Sequence, residues 1–151
     1  MVAVIAYGAL LCACFFAMRV ARISMAELGI PAVSIRSVVI GLVAGVLVVA
    51  PVWRSPAVSV SSAGWLVLAV AVEEVAFRGV LFAILRRVGG VPLAIGGSAA
   101  GFTMAHAGSV SWPSLVLVAL AGLYLGLLRA MRGDLWACGI AHLLMDLVSL
   151  P

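Results

Sequence analysis

Lysine is absent from the 151 residues, and only 9% of them carry a charge. An ordinary soluble domain has roughly 25% charged residues. With 66% hydrophobic residues and a mean hydropathy of +1.35, so short a chain has more apolar surface than one water-soluble core can hide. The shortage of charge excludes a soluble globular domain, a disordered chain and a nucleic-acid module. A net charge of +4 does not restore a polyanion partner, because the nine arginines are scattered rather than clustered. There is no internal repeat and no low-complexity tract. No basic segment precedes the first apolar run, so a signal-anchor that leaves the N-terminus outside fits better than a cleaved signal peptide. Cysteine is scarce too. Cys12 and Cys14 stand about 200° apart around a helix and cannot face one metal. With Cys138 they are expected to be small buried packing residues, without a disulfide framework.

What the chain does have is apolar runs of bilayer length. Helices of about 17 to 25 apolar residues cross a membrane, and six such runs are read at 2–18, 37–53, 63–85, 91–107, 112–128 and 135–150. The expected fold class is all-α, a polytopic transmembrane helix bundle of about six spans. Residues 1–151 form one membrane-embedded domain, with a motif-bearing core at about 63–150. The loop arginines divide unequally between the two sides. Arg19, Arg22, Arg36, Arg86, Arg87, Arg129 and Arg132 fall on one side, Arg54 alone on the other, and Arg78 inside a span. The positive-inside rule makes the arginine-rich side cytoplasmic and puts both termini outside. Arg86, Arg87, Arg129 and Arg132 are accordingly read as topology signals. Gly41/Gly45, Gly97/Gly101 and Gly122/Gly126 are small-xxx-small pairs that permit close helix packing. Trp53, Trp65, Trp112 and Trp136 lie near span ends, as an interfacial belt would. Pro31, Pro56, Pro92 and Pro113 punctuate loops or span starts, and residues 19–36 carry a weak signal for an interfacial helix.

An ionisable side chain at mid-bilayer costs on the order of 2.5–3.5 kcal/mol, so each one inside a span carries information. The third span holds Glu73, Glu74 and Arg78, the fourth His106, and the sixth His142 and Asp146. Glu74 and Arg78 are i,i+4 and can pair on one helix face. Glu73 is about 100° away and points elsewhere. His142 and Asp146 repeat the i,i+4 spacing, as do Phe102 and His106. Two adjacent carboxyls, one neutralised by Arg and one freer, suit general-base activation of water. A histidine from another helix can hold that water, and a second polar pair can stabilise a tetrahedral oxyanion. No Ser or Cys nucleophile with a base partner accompanies the set, which favours direct water attack.

The stretches EEVAFR at 73–78, FTMAH at 102–106 and HLLMD at 142–146 match, in order, EExxxR, FxxxH and HxxxN/D. In these three signatures the chain resembles the CPBP family of CAAX prenyl endopeptidases and bacteriocin-processing proteins, which are intramembrane glutamate proteases. The resemblance implies that Glu73 activates water, that His106 positions it, and that Glu74 and Arg78 form a supporting pair. It implies an oxyanion-stabilising role for His142 and Asp146; Phe102 is read separately as a packing residue that shapes the site. Asp146 stands where Asn is commoner, and an ionised Asp cannot donate to an oxyanion. The expected partners are a peptide or lipid-modified protein tail as substrate and the lipid bilayer, with no nucleic acid and no cofactor. Arginine-only basic usage and the short chain suggest a bacterial cell membrane. Two other classes remain open: a zinc-dependent hydrolase using Glu73, His106, His142 and Asp146, and a non-catalytic binder or proton- or ion-coupled transporter.

Overall fold

The computed structural model describes residues 2–30, 32–50 and 60–149, and every regular element among them is helical. Trp53, Arg54, Pro31 and Pro56 lie outside the described residues. The chain forms α1 (Val2–Ala21), a short α2 (Met25–Leu28), α3 (Ile35–Val49) and α4 (Val60–Glu74). A π-helical segment (Val75–Leu81) then leads into α5 (Phe82–His106), followed by α6 (Trp112–Arg132) and α7 (Leu135–Ser149). α5 is broken at Gly89 and Gly90, where φ reaches +74° and the helical path is lost. That break falls in the gap expected between the third and fourth runs. Pro92 follows it at the start of a new helical stretch, where a missing N–H is harmless.

The expected glycine pairs are packing seams. A Cβ on Gly41 would lie 2.8 Å from the Ala137 carbonyl oxygen, and one on Gly45 would lie 3.2 Å from the Ala141 Cα, so α3 rests on the α7 backbone. Gly122 and Gly126 bring α6 against Ala99 and Ile95 of α5, where a Cβ would lie 3.3 and 3.4 Å from the nearest atoms. Two apolar clusters result. One joins α1, α2, the π segment and α5 around Leu28, Phe77 and Phe102; the other joins α3, α6 and α7 around Leu125, Cys138 and Ala141. Cys14 and Cys138 are buried as expected, but Cys12 is exposed on α1, because it falls on the face opposite Cys14. Leu and Val side chains cover the outside, among them Leu42, Leu47, Leu117 and Leu120. Such a coat suits hydrocarbon rather than water. By length and apolarity Trp112–Arg132 is a helix able to cross a membrane, while Ile5–Ala21, Ile35–Val49 and Leu135–Leu147 are apolar but shorter.

The arginine-rich end is tied together by α2. Among its described residues, the segment expected as an interfacial helix holds the last turn of α1, this four-residue turn closed by a capping box between Ser24 and Glu27, and the first residues of α3. Gly29 ends α2 at φ +76°, and a Cβ there would lie 2.7 Å from the Gly133 carbonyl oxygen. Both the backbone angle and the space therefore require glycine. Its carbonyl accepts the Leu135 N–H at 2.7 Å, linking α2 to the start of α7. Arg87 donates to the Glu27 carboxylate and to the carbonyls of Ala21 and Arg22. Arg129 is buried, donating Nε to the Arg78 carbonyl at 3.0 Å and Nη2 to the Glu27 carbonyl at 2.8 Å. Arg87 and Arg129 are thus structural clasps as well as charges on one side of the fold.

The Ser24 amide, then Arg87 and the Ser24 hydroxyl, hold the Glu27 carboxyl down from its ordinary 4.5 to about 2. A depressed carboxyl contributes stability above its unfolded pKa and loses it as pH falls through the folded one. Glu27→Gln is expected to lower the thermal midpoint in detergent above pH 4.5 and to converge on the wild type near pH 2. A gap between the two proteins that stays constant across this window would contradict the assignment.

Candidate active site

Glu73 and Glu74 close α4, and Arg78 sits one turn on, inside the π segment. All three are buried. π turns recur at functional sites because they redirect side chains within a continuous helix. Here the expected pair forms: Arg78 Nη1 lies 2.9 Å from Glu74 Oε1, with Arg78 wholly inaccessible. The same oxygen accepts His142 Nδ1 at 2.8 Å, so one atom joins the α4 end to α7. A carboxylate oxygen only accepts, so Nδ1 carries the proton. Nε2 is then an acceptor in the neutral ring and a donor in the protonated one.

That Nε2 faces two further carboxylates. It lies 3.8 Å from Glu73 Oε2 and 3.7 Å from Asp146 Oδ1. Both separations exceed a direct hydrogen bond, so the three groups face one another without bonding directly. Glu73, His142 and Asp146 are therefore gathered around one point, with Glu74 and Arg78 behind them. Asp146 is half-exposed, as is His106, whereas His142 is buried.

Phe102 forms the floor of the cluster. Its face takes the Arg78 guanidinium at 4.3 Å, a cation–π contact that gives the ion a second partner. Its ring also packs 4.5 Å from His106 and 5.4 Å from His142, centroid to centroid. His106 Nδ1 donates to the Phe102 carbonyl at 2.9 Å, which leaves Nε2 unprotonated in the neutral ring. His106 thus meets the cluster through Phe102, and it lies within electrostatic reach of Asp146. Among the described residues, no three His, Cys, Asp or Glu side chains converge in a metal-binding geometry.

Two contributors escaped the sequence reading. Tyr7 of α1 donates its hydroxyl to Glu73 Oε1 at 2.7 Å. A single tyrosine in an apolar run has no partner at helical spacing to mark it. Arg129, counted as a topology charge, donates to the Arg78 backbone beneath the site. Its position at the end of a span gave no sign that it turns inward.

Removing one member of a buried ion pair costs about 3–5 kcal/mol, because the other charge is stranded. Arg78→Met is expected to lose about that much unfolding free energy in micelles, measured by denaturant titration. Glu74→Leu combined with Arg78→Met is expected to lose less than Arg78→Met alone. The reverse order would show that the pair is not the stabilising unit.

Comparison with curated proteins and with solved structures found no match. The family model of type II CAAX prenyl endopeptidase Rce1-like proteins matches residues 55–148, more than half of the chain. The match takes in α4 to α7 and leaves α1 to α3 outside. It therefore contains Glu73, Glu74, Arg78, Phe102, His106, His142 and Asp146, and the chain belongs to the type II CAAX prenyl endopeptidase Rce1-like family of membrane-embedded CPBP proteases.

Proposed function

We propose that the protein is an intramembrane endopeptidase in which Glu73 activates water to cleave a peptide bond in a membrane-associated or lipid-modified tail. The observation that carries this reading is the convergence of Glu73 Oε2 and Asp146 Oδ1 on His142 Nε2, with Glu74 and Arg78 behind them. Glu73 takes a proton from that water as the oxygen attacks the scissile carbonyl carbon. The carbonyl π electrons move to oxygen, giving a tetrahedral oxyanion. A protonated His142 Nε2 donates to this oxygen, while Glu74 keeps the ring oriented through Nδ1. Glu73 then passes its proton to the leaving nitrogen as the C–N bond breaks. Asp146 orients His142 from its other side when ionised, and donates to the oxyanion when protonated. His106, whose Nε2 can accept, is assigned the positioning of the entering water.

In this reading the six helical runs span the bilayer. The clasp of Arg87, Arg129 and α2 is on the cytoplasmic side, and both termini are outside. The chemistry asks for no metal or other cofactor, since a carboxylate serves as the base. The apolar exterior and the buried site suit a substrate already held at the membrane, so a peptide bearing a lipid near its C-terminus is the natural probe.

A fluorogenic prenylated peptide in detergent micelles provides the assay. Glu73→Gln, with unchanged thermal midpoint, is expected to lower kcat/KM by about 10²–10⁴-fold, the usual contribution of a general base. Turnover is expected to survive chelation by 1,10-phenanthroline. Full activity in Glu73→Gln would sink the mechanism, and loss on chelation restored by zinc would replace it with a metal-dependent one. A Glu73-dependent proton flux in vesicles, with no cleavage, would identify a transporter.

A further inference from the structure

The base proposed above needs one oxygen aimed at water, yet a carboxylate presents two. Its immediate neighbours are occupied elsewhere. Arg78 Nη1 and His142 Nδ1 both go to Glu74, and His142 Nε2 stands beyond hydrogen-bond distance from Glu73. The hydrogen bond that holds Glu73 comes instead from α1, outside the residues the family model matches: Tyr7 Oη donates to Oε1 at 2.7 Å. The phenol is itself steadied by an edge-on contact with Trp65 of α4, 5.6 Å between centroids at 76°.

We propose that Tyr7 is a positioning residue for hydrolysis, fixing Glu73 by Oε1 so that Oε2 faces the water site beside His142. The proposal rests on the reading of Glu73 as the base. It gives α1 a part in the site that the matched core lacks. The phenol proton stays on Tyr7 throughout and occupies the Oε1 lone pair. Oε2 is left as the oxygen that takes the water proton and returns it to the leaving nitrogen. The charged and titratable groups around Glu73 are Glu74 and Arg78 on its own helical run, Asp146 and His142 on α7, and Tyr7 on α1. Among these described neighbours, Tyr7 is the hydrogen-bond donor to Glu73. A Phe in its place would keep the ring against Trp65 and delete only that bond.

Tyr7→Phe is expected to lower kcat on the prenylated fluorogenic peptide about tenfold, the lower range for one hydrogen bond to a charged group. KM should stay within about twofold, since the uncharged ring edge is retained. The thermal midpoint should not move. Infrared spectroscopy in micelles gives a readout independent of turnover. The Glu73 carboxylate band, identified by its loss in Glu73→Gln, should shift in Tyr7→Phe. An unchanged kcat, or a fallen kcat with a lowered midpoint and an unmoved band, would overturn the proposal. If Glu73→Gln is dead while Tyr7→Phe is fully active, the hydroxyl is idle and Glu73 remains the base. If Glu73→Gln is active, the base assignment itself fails.

Discussion

A guanidinium with no solvent access can be held in this fold only by what surrounds it, and most of the architecture follows from that requirement. Charges attract far more strongly away from water, but stranding one there is far more costly. Arg78 meets the requirement with the Glu74 carboxylate on one side and the Phe102 face on the other. Each partner then fixes something else. Glu74 holds His142 and so sets α7; Phe102 packs against His106 and so sets the last turns of α5. The Arg78 carbonyl accepts from Arg129, which reaches on to the Glu27 carbonyl. Through the guanidinium and the backbone carbonyl of this one residue, α2, α4, α5, α6 and α7 are linked.

The division of labour between the two glutamates follows from the same constraint. Glu74 must answer Arg78 and His142 together, so its Oε1 is committed to holding the structure. Glu73, one residue earlier, points off that axis toward α1 and the far nitrogen of His142. Adjacent carboxyls on a helix therefore acquire different surroundings without any difference in residue type. A third acid, Asp146, is half-exposed and approaches from α7, completing a ring of acceptors around a single imidazole.

Much of this was legible from spacing. The i,i+4 pairs in the third and sixth runs predict the Glu74–Arg78 contact and the shared face of His142 and Asp146, since helical periodicity is a local property. The gap between the third and fourth runs, where the break at Gly89–Gly90 falls, and the seams at Gly41/Gly45 and Gly122/Gly126 were likewise marked, because run ends and small residues belong to individual positions. The unmarked features depend on contacts between distant parts of the chain. Tyr7 and Glu73 are 66 residues apart, and Arg129 and Glu27 are 102 apart. No periodicity connects them. The π segment was equally hidden: its residues look helical, and only packing decides that one turn is widened. Cys12 shows the converse error, in which a residue type with a general preference for burial follows the helix face it occupies.

The seam between α3 and α7 has a bearing on where sequence variation can be absorbed. Side-chain ends have rotamers and can readjust, but the Ala137 backbone and Ile140 Cβ that face Gly41, and the Leu144 Cβ and Ala141 Cα that face Gly45, cannot. The spacing of the two helices is thus encoded at two positions of α3. Outward-facing Val39, Leu42, Val43, Val46 and Leu47 contribute little to that spacing and need only remain apolar. α3 can drift over nearly its whole outer face while His142, carried by α7, keeps its place. The information that fixes the spacing between α3 and the helix carrying His142 is concentrated where there is no side chain at all.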